Sequence, residues 1–426
     1  MKIIIQNIRS LTGQNLVPIT PLTILTGENS SGKSTFLAVL SWIFKESFPF
    51  FSDFNQEPFE LGTYETIATN MGGKFKQSSY FGFGYIADDN RRVLVKYQDK
   101  DGTPEIAEVS VTNSDQEIGV AFPKTKRERA SFRVRLKNNV SFQFLVPGKV
   151  QDHFRSYEPV LYGSTVQMFM RYFRYINMGK DLKRELKIQD EIAHLIRSIP
   201  PSHSRALAPI RTRPRRTYDK PVERVDSEGE YIPDRLSRFF DTKDSTNTRR
   251  DLKKILRSFG QESGLFKGIE VKRLRRKVAY PFELNARIFN KPTNILDVGY
   301  GVSQALPILV ETALLEKNRM LLLQQPEVHL HPKAQAALGT FFAQTVARGG
   351  KQFVVETHSD YIIDRIRQEI SKGTINKDLV SILFFHKEPN GTRVYPITFD
   401  EMGNIKDAPS FYRDFFLKED QNLFNR

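Results

Sequence analysis

Eight residues, Gly27-Glu28-Asn29-Ser30-Ser31-Gly32-Lys33-Ser34, satisfy the pattern G-x-x-x-x-G-K-[ST] at every position. They follow a short apolar run, Leu22-Thr23-Ile24-Leu25, and open an apolar stretch with helical spacing from Phe36 to Phe44. A strand, a glycine-rich loop and a helix in that order restrict the chain to an α/β fold built around a phosphate-binding loop. The glycines permit the tight path, and main-chain N–H groups of the loop and of the helix start converge on phosphate oxygens. Lys33 is expected to reach the β- and γ-phosphates, Ser34 to hold Mg²⁺ through its hydroxyl, and Thr35 to continue the cradle. The expected ligands are therefore ATP and Mg²⁺.

Bulk properties set the surroundings of this loop. The chain has 426 residues, 39% of them hydrophobic and 27% charged. No apolar stretch approaches the roughly 18 to 20 residues needed to cross a bilayer. The N-terminus, Met1-Lys2-Ile3-Ile4-Ile5-Gln6, turns polar at once and does not read as a signal peptide. Cysteine is absent, which excludes disulfides, thiolate metal sites and cysteine nucleophiles, and the 7 histidines fall in no metal-ligand spacing. The expectation is a cytoplasmic protein with no membrane contact.

The formal net charge is +15, and it is unevenly spread. Residues 201–280 hold 21 Lys and Arg against 11 Asp and Glu, and residues 121–150 hold 8 against 1. A basic excess concentrated this way points to polyanion contact, with a solvated face as the plainer alternative. The candidate nucleic-acid residues are Arg211, Arg213, Arg215, Arg216, Lys272, Arg273, Arg275 and Arg276.

Three further motifs accompany the loop. Met320-Leu-Leu-Leu-Gln-Gln-Pro-Glu-Val-His-Leu-His-Pro332 reads as a buried strand ending in polar groups, where a Walker B element belongs. Phe353-Val354-Val355-Glu356-Thr357-His358 is a second such strand, ending in a histidine able to sense a γ-phosphate. Asp297-Val298-Gly299-Tyr300-Gly301-Val302-Ser303-Gln304 is a glycine-bearing turn opening a helix, suited to a further phosphate. Helices are predicted over 303–315, 333–347 and 360–370, strands between about 80 and 146, and a helical pattern from Thr165 to Ile199.

Together these motifs resemble the ABC-type ATPase superfamily, in the branch of SMC, RecF and OLD proteins. Within it the sequence is most similar to compact ATPases of bacterial anti-phage systems such as Gabija, Septu, PARIS and some retrons. The resemblance covers residues 1–45 and about 285–415, and touches the Pro- and Arg-rich segment Ala206–Tyr218. It implies a fold: an ABC-type P-loop nucleotide-binding head with a mixed sheet and a helical or irregular basic insertion. The division expected is 1–150 for the N-terminal half with a β-rich lobe, 151–284 for the insertion, and 285–426 for the C-terminal half.

The resemblance also implies a head-to-tail homodimer, with ATP between the loop of one subunit and the signature turn of the other. Gly299, Gly301, Ser303 and Gln304 then approach the partner's nucleotide, and His358 is the switch histidine. Where the family carries a Walker B acid and a catalytic glutamate, this sequence has Gln324 and Gln325. A neutral amide balances Mg²⁺ less well than a carboxylate and takes no proton from water. Gln324 is the expected metal-side residue, and Gln325, Glu327 and His358 are the catalytic candidates, with Glu327 standing in as base. Slow hydrolysis is expected.

No heptad run fills the roughly 260 residues between Ser34 and Asp297, unlike the arms of SMC proteins, and no D-x-D motif follows His358, unlike the OLD nucleases. The leading expectation is an ATPase sensor subunit of a defence complex that controls a separate effector, a nuclease or toxin. The alternatives are a stand-alone RecF-like DNA-repair ATPase and a non-hydrolysing ATP-dependent scaffold.

Overall fold

A computed structural model describes residues 1–45, 48–49, 53–70, 77–122, 131–135, 141–145, 204–222, 224–241, 247–275, 279–289 and 291–412. In chain order the first elements are β1 (Lys2–Ile8), β2 (Leu11–Pro18), β3 (Leu22–Gly27), α1 (Lys33–Ile43), β4 (Asn55–Gln56), β5 (Phe59–Glu60) and α2 (Tyr64–Ile67). Then come β6 (Phe81–Ile86), β7 (Arg92–Lys100), β8 (Thr103–Thr112), β9 (Glu117–Ala121), β10 (Ser131–Arg135), β11 (Ser141–Leu145) and β12 (Ser204–Leu207). The rest are α3 (Ile232–Asp241), α4 (Asn247–Ser263), β13 (Gly268–Arg273), β14 (Phe282–Ile288), β15 (Lys291–Asn294), α5 (Tyr300–Leu314), β16 (Arg319–Gln324) and α6 (Pro332–Ala347). They are followed by β17 (Lys351–Glu356), α7 (Asp360–Ser371), β18 (Val380–Glu388), β19 (Gly391–Phe399) and β20 (Ile405–Lys406).

These elements form two compact units, interleaved along the sequence. The first comprises Met1–Ile19, Ser30–His203 and His386–Val394. Its frame is an eight-stranded sheet in the order β11-β10-β9-β8-β7-β6-β1-β2. The pairings are antiparallel, as short charged turns between alternating strands require. Beside the sheet, helix α1 is apolar on nearly every side, the pattern of a helix enclosed by its neighbours. Its Trp42 meets Phe54 edge-on at 4.8 Å, and Phe54 meets Tyr97 at 5.0 Å. Tyr97 in turn stacks on Phe81 at 5.1 Å.

The second unit comprises Thr20–Asn29, Ser204–Phe385 and Tyr395–Arg426. It is built on the sheet β12-β16-β17-β3-β18-β19-β20. From β12 to β18 the strands run parallel, while β19 and β20 pair antiparallel. The runs Met320-Leu-Leu-Leu and Phe353-Val-Val are apolar at every position because parallel strands are buried on both faces. Leu321, Leu323, Phe353, Val355, Leu22 and Ile24 point into one core, which α4, α5, α6 and α7 complete with Phe259, Leu309, Phe342 and Ile366.

The two units differ from the three-part division expected of the sequence. Of the segment 151–284 expected as an insertion, the part from Ser204 belongs to the second unit: β12 pairs with β16, and α4 buries Leu252, Ile255, Leu256 and Phe259 in the same core. The helix expected over Thr165–Ile199 lies outside the described residues. The helices expected at 303–315, 333–347 and 360–370 are present as α5, α6 and α7.

Candidate nucleotide site

The phosphate-binding loop leaves β3 at Gly27 and enters α1 at Lys33. Three of its residues take positive φ: Gly27 at 135°, Ser30 at 59° and Gly32 at 96°. A Cβ on Gly27 would lie 2.2 Å from the Phe385 carbonyl oxygen on the adjacent strand β18, so the chain can pass there only as glycine. Gly32 caps α1 in the left-handed conformation, and the helix's first turn carries no acidic side chain. The positive end of the helix dipole is thus left to an anion. Within the loop, Ser31 Oγ is buried with no hydrogen-bond partner among the described residues, a donor that a phosphate oxygen would satisfy. Lys33 and Thr35 are buried, whereas Asn29, Ser30 and Ser34 are exposed and Glu28 is half-buried.

Two strands end beside β3 in the same sheet. β16 and β17 run in parallel register, with Gln324 opposite Glu356, and Glu356 is opposite Leu25 of β3. Past β16 the chain turns sharply. Gln325 has φ 41° and donates its N–H to the Glu356 carbonyl at 2.8 Å, and Leu330 N–H bonds to the Glu327 carbonyl at 2.9 Å. This turn carries Glu327 across to the end of β17, where its Oε1 accepts the His358 N–H at 2.8 Å. Burial raises the Glu327 carboxyl above its ordinary value, against the hydrogen bond from His358 and the positive charge of Arg211. His358 is exposed, held between Thr357, whose N–H bonds to the Leu25 carbonyl at 3.1 Å, and Ser359, whose hydroxyl caps α7 at Ile362.

Arg211 departs from the sequence expectation. Instead of facing a polyanion on the surface, it is 2% exposed. None of its guanidinium nitrogens has a hydrogen-bond partner among the described residues. Burial lowers the guanidinium to about 10, and the Glu327 carboxylate opposes that fall. The reason is topological. Leu207 of β12 is opposite Leu323 of β16, and four residues beyond each lie Arg211 and Glu327. Parallel strands carry both side chains to the same end of the sheet.

The other basic candidates divide. Arg216 makes a two-pronged bond to Asp297, at 2.6 and 2.9 Å, Arg215 pairs with Glu230, and Lys272 pairs with Glu283. Arg213 and Arg275 are exposed, Arg273 is half-buried, and Arg276 lies outside the described residues.

The signature turn is only partly as expected. Gly299 caps α5 and is exposed, as is Tyr300, at 51%. Ser303 and Gln304 point inward. The Ser303 hydroxyl donates to the Tyr300 carbonyl at 2.8 Å, and Gln304 Nε2 donates to the Arg211 main-chain oxygen at 3.4 Å. Gly301 is buried, with Leu265 and Leu330 within 3.3 Å of where its Cβ would lie. Helix α5 is enclosed along nearly its whole length, so positions 303 and 304 have only the interior to face. What the turn presents outward is Gly299, already a candidate, and the Tyr300 ring, which was not one. Glu356 was missed as well; a carboxylate ending an otherwise apolar strand was the signal available.

A phosphate loop opening a helix, on a sheet whose strand ends gather Gln324, Glu327, Glu356 and His358, defines an α/β nucleotide-binding protein of the P-loop class. Residues 1–363 match the AAA ATPase domain family, and the chain belongs to it. No curated protein matches. Among solved structures, the chain is similar to an Smc head bound to the C-terminal winged-helix domain of ScpA, at 11% identity and TM-score 0.38, covering 94% of this chain and 98% of that one. It is also similar to the SMC head domain from Thermotoga maritima, at 12% identity and TM-score 0.37, over 93% and 97% of the two chains. A third is a Pyrococcus furiosus Smc head with an extended coiled coil, bound to the C-terminal domain of ScpA, at 9% identity and TM-score 0.39, over 93% and 96%. Superpositions this loose carry no functional information. No described helix is long and apolar enough to cross a membrane.

Proposed function

We propose that the chain is an ATPase that binds ATP with Mg²⁺, hydrolyses it slowly, and pairs head to tail with a second copy around the nucleotide. It serves as the sensor subunit of an anti-phage defence complex and controls a separate effector, a nuclease or toxin. The observation that carries the reading is the loop from Gly27 to Ser34: positive φ where phosphate must be approached, an orphaned Ser31 hydroxyl, and a helix start free of acidic side chains.

The donors suit Mg²⁺, a hard cation that takes oxygen ligands: the exposed Ser34 hydroxyl and the Gln324 amide oxygen. Bound with the nucleotide, Mg²⁺ neutralises charge on the phosphates. Hydrolysis is slow in this reading because position 325 offers an amide. Glu327, two residues on, is committed to the His358 N–H and sits in a turn fixed by Gln325 and Leu330. Slow turnover makes occupancy the output, since ATP biases assembly only by its preference for one state. Gly299 and Tyr300 are the groups the signature turn offers a second copy.

Steady-state phosphate release tests the reading: slow release that Lys33→Ala abolishes supports it, and release equal to the Lys33→Ala control overturns it. Purification with the products of neighbouring genes tests the defence role, which fails if no nuclease or toxin accompanies the chain. The RecF-like reading is less favoured, because Arg211 is buried and Arg215, Arg216 and Lys272 are engaged by acids.

A further inference from the structure

The site has an unanswered electrostatic problem. A nucleotide triphosphate brings Mg²⁺ to the ends of the parallel strands, and a P-loop protein ordinarily meets that ion with a carboxylate. Here the end of β16 offers Gln324 and Gln325, both neutral.

The adjacent strand holds the missing charge. Glu356 is the last residue of β17 and is registered opposite Gln324. Residues paired in parallel register point to the same face, so the two side chains lie together on the face of Leu322 and Val354. That face is opposite the core formed by Leu321, Leu323, Phe353 and Val355. On its other side, Glu356 is registered opposite Leu25 of β3, two residues before Gly27 begins the phosphate loop. Open α/β sheets bind ligands outside the carboxyl ends of their strands, and Glu356 sits at that end, on the strand between the loop strand and the glutamine strand. It is 5% exposed. The Gln325 N–H on its carbonyl, at 2.8 Å, fixes the two strand ends to each other.

We infer that Glu356 has taken over the metal-side carboxylate role from position 324, so that the acid serving Mg²⁺·ATP has moved one strand across. This inference rests on the proposed ATP site. In it, Gln324 contributes its amide oxygen and Glu356 the charge.

The test is calorimetric titration of the full chain with ATP, once in excess EDTA and once with Mg²⁺. In the wild type, Mg²⁺ tightens ATP binding. Glu356→Gln is expected to reduce the gain in affinity from Mg²⁺ by roughly 10- to 100-fold. Returning the acid to β16 in the swap Gln324→Glu with Glu356→Gln is expected to restore that gain. A Glu356→Gln chain that retains the full gain overturns the inference. So does a swap that fails to recover it. If Glu356→Gln does not fold but the swap folds and regains the Mg²⁺ effect, the inference stands; if neither folds, Glu356 is a structural group of β17 and the inference falls. Failure of the underlying ATP reading is separate: the wild type would then bind no ATP even with Mg²⁺, or Lys33→Ala would bind it equally well.

Discussion

Removing the Glu327 charge while Arg211 remains is expected to change stability by no more than about 1–2 kcal/mol, because burial already disfavours that charge and no ion pair joins the two residues, yet it leaves the Arg211 guanidinium with nothing opposing its desolvation. The asymmetry of the pair sets which single change costs more. Burial draws the Arg211 guanidinium down to about 10 even with the Glu327 carboxylate opposing the fall. Its nitrogens have no hydrogen-bond partner among the described residues, so Glu327→Gln leaves it without its opposing charge. Glu327, by contrast, keeps the His358 N–H when Arg211 is replaced. Arg211→Met should therefore cost less, under about 1 kcal/mol. The double variant, with both charges gone and the space filled, should fall within about 1 kcal/mol of the wild type. Urea denaturation of the four chains, followed by circular dichroism, reads the coupling directly. Losses that add to within about 0.5 kcal/mol would show that the two residues do not interact, and the assignment of Arg211 to the interior of the site would fail.

Other consequences follow from the same geometry. Gly27→Ala places a Cβ against the Phe385 carbonyl at positive φ, and should abolish ATP binding in calorimetry while Gly268→Ala, at ordinary φ and where a Cβ would meet nothing within 4 Å, leaves it intact. Because burial raises Glu327, its contribution to stability is fully present below 4.5 and is lost as pH rises through the raised value; Glu327→Gln should remove that dependence from denaturation curves taken across the window. If Glu327 is the base, phosphate release should fall on acidification with a midpoint above 4.5, measured by single-turnover assay. Tyr300→Glu should prevent ATP-dependent dimerisation in sedimentation velocity without changing monomer ATP affinity.

Much of this arrangement was legible in the residues. The loop from Gly27 to Ser34 declares itself by pattern, and the buried parallel strands declare themselves by unbroken apolar runs. What could not be read was direction. Helix α5 buries its polar residues Ser303, Gln304, Glu311 and Thr312 along with the apolar ones, and polar residues in a helix otherwise read as its solvent face. Arg211 sits in a run of arginines and reads as surface charge. Only the pairing of β12 with β16, residues more than a hundred positions apart, brings it to Glu327. Local periodicity does not report which sheet a strand joins. Glu356 was visible as a strand-end acid, but its relation to Gln324 exists only in the register of two strands.

The central claim is that the chain holds ATP and turns it over slowly. Pre-steady-state phosphate release from the wild type, with Lys33→Ala and Gln325→Glu alongside, tests it most directly. The account predicts release slower than about 1 s⁻¹, the lower end of ordinary enzyme turnover, lost in Lys33→Ala and accelerated in Gln325→Glu, where a base is returned to position 325. Wild-type release at tens per second, or release indifferent to Lys33, would contradict it.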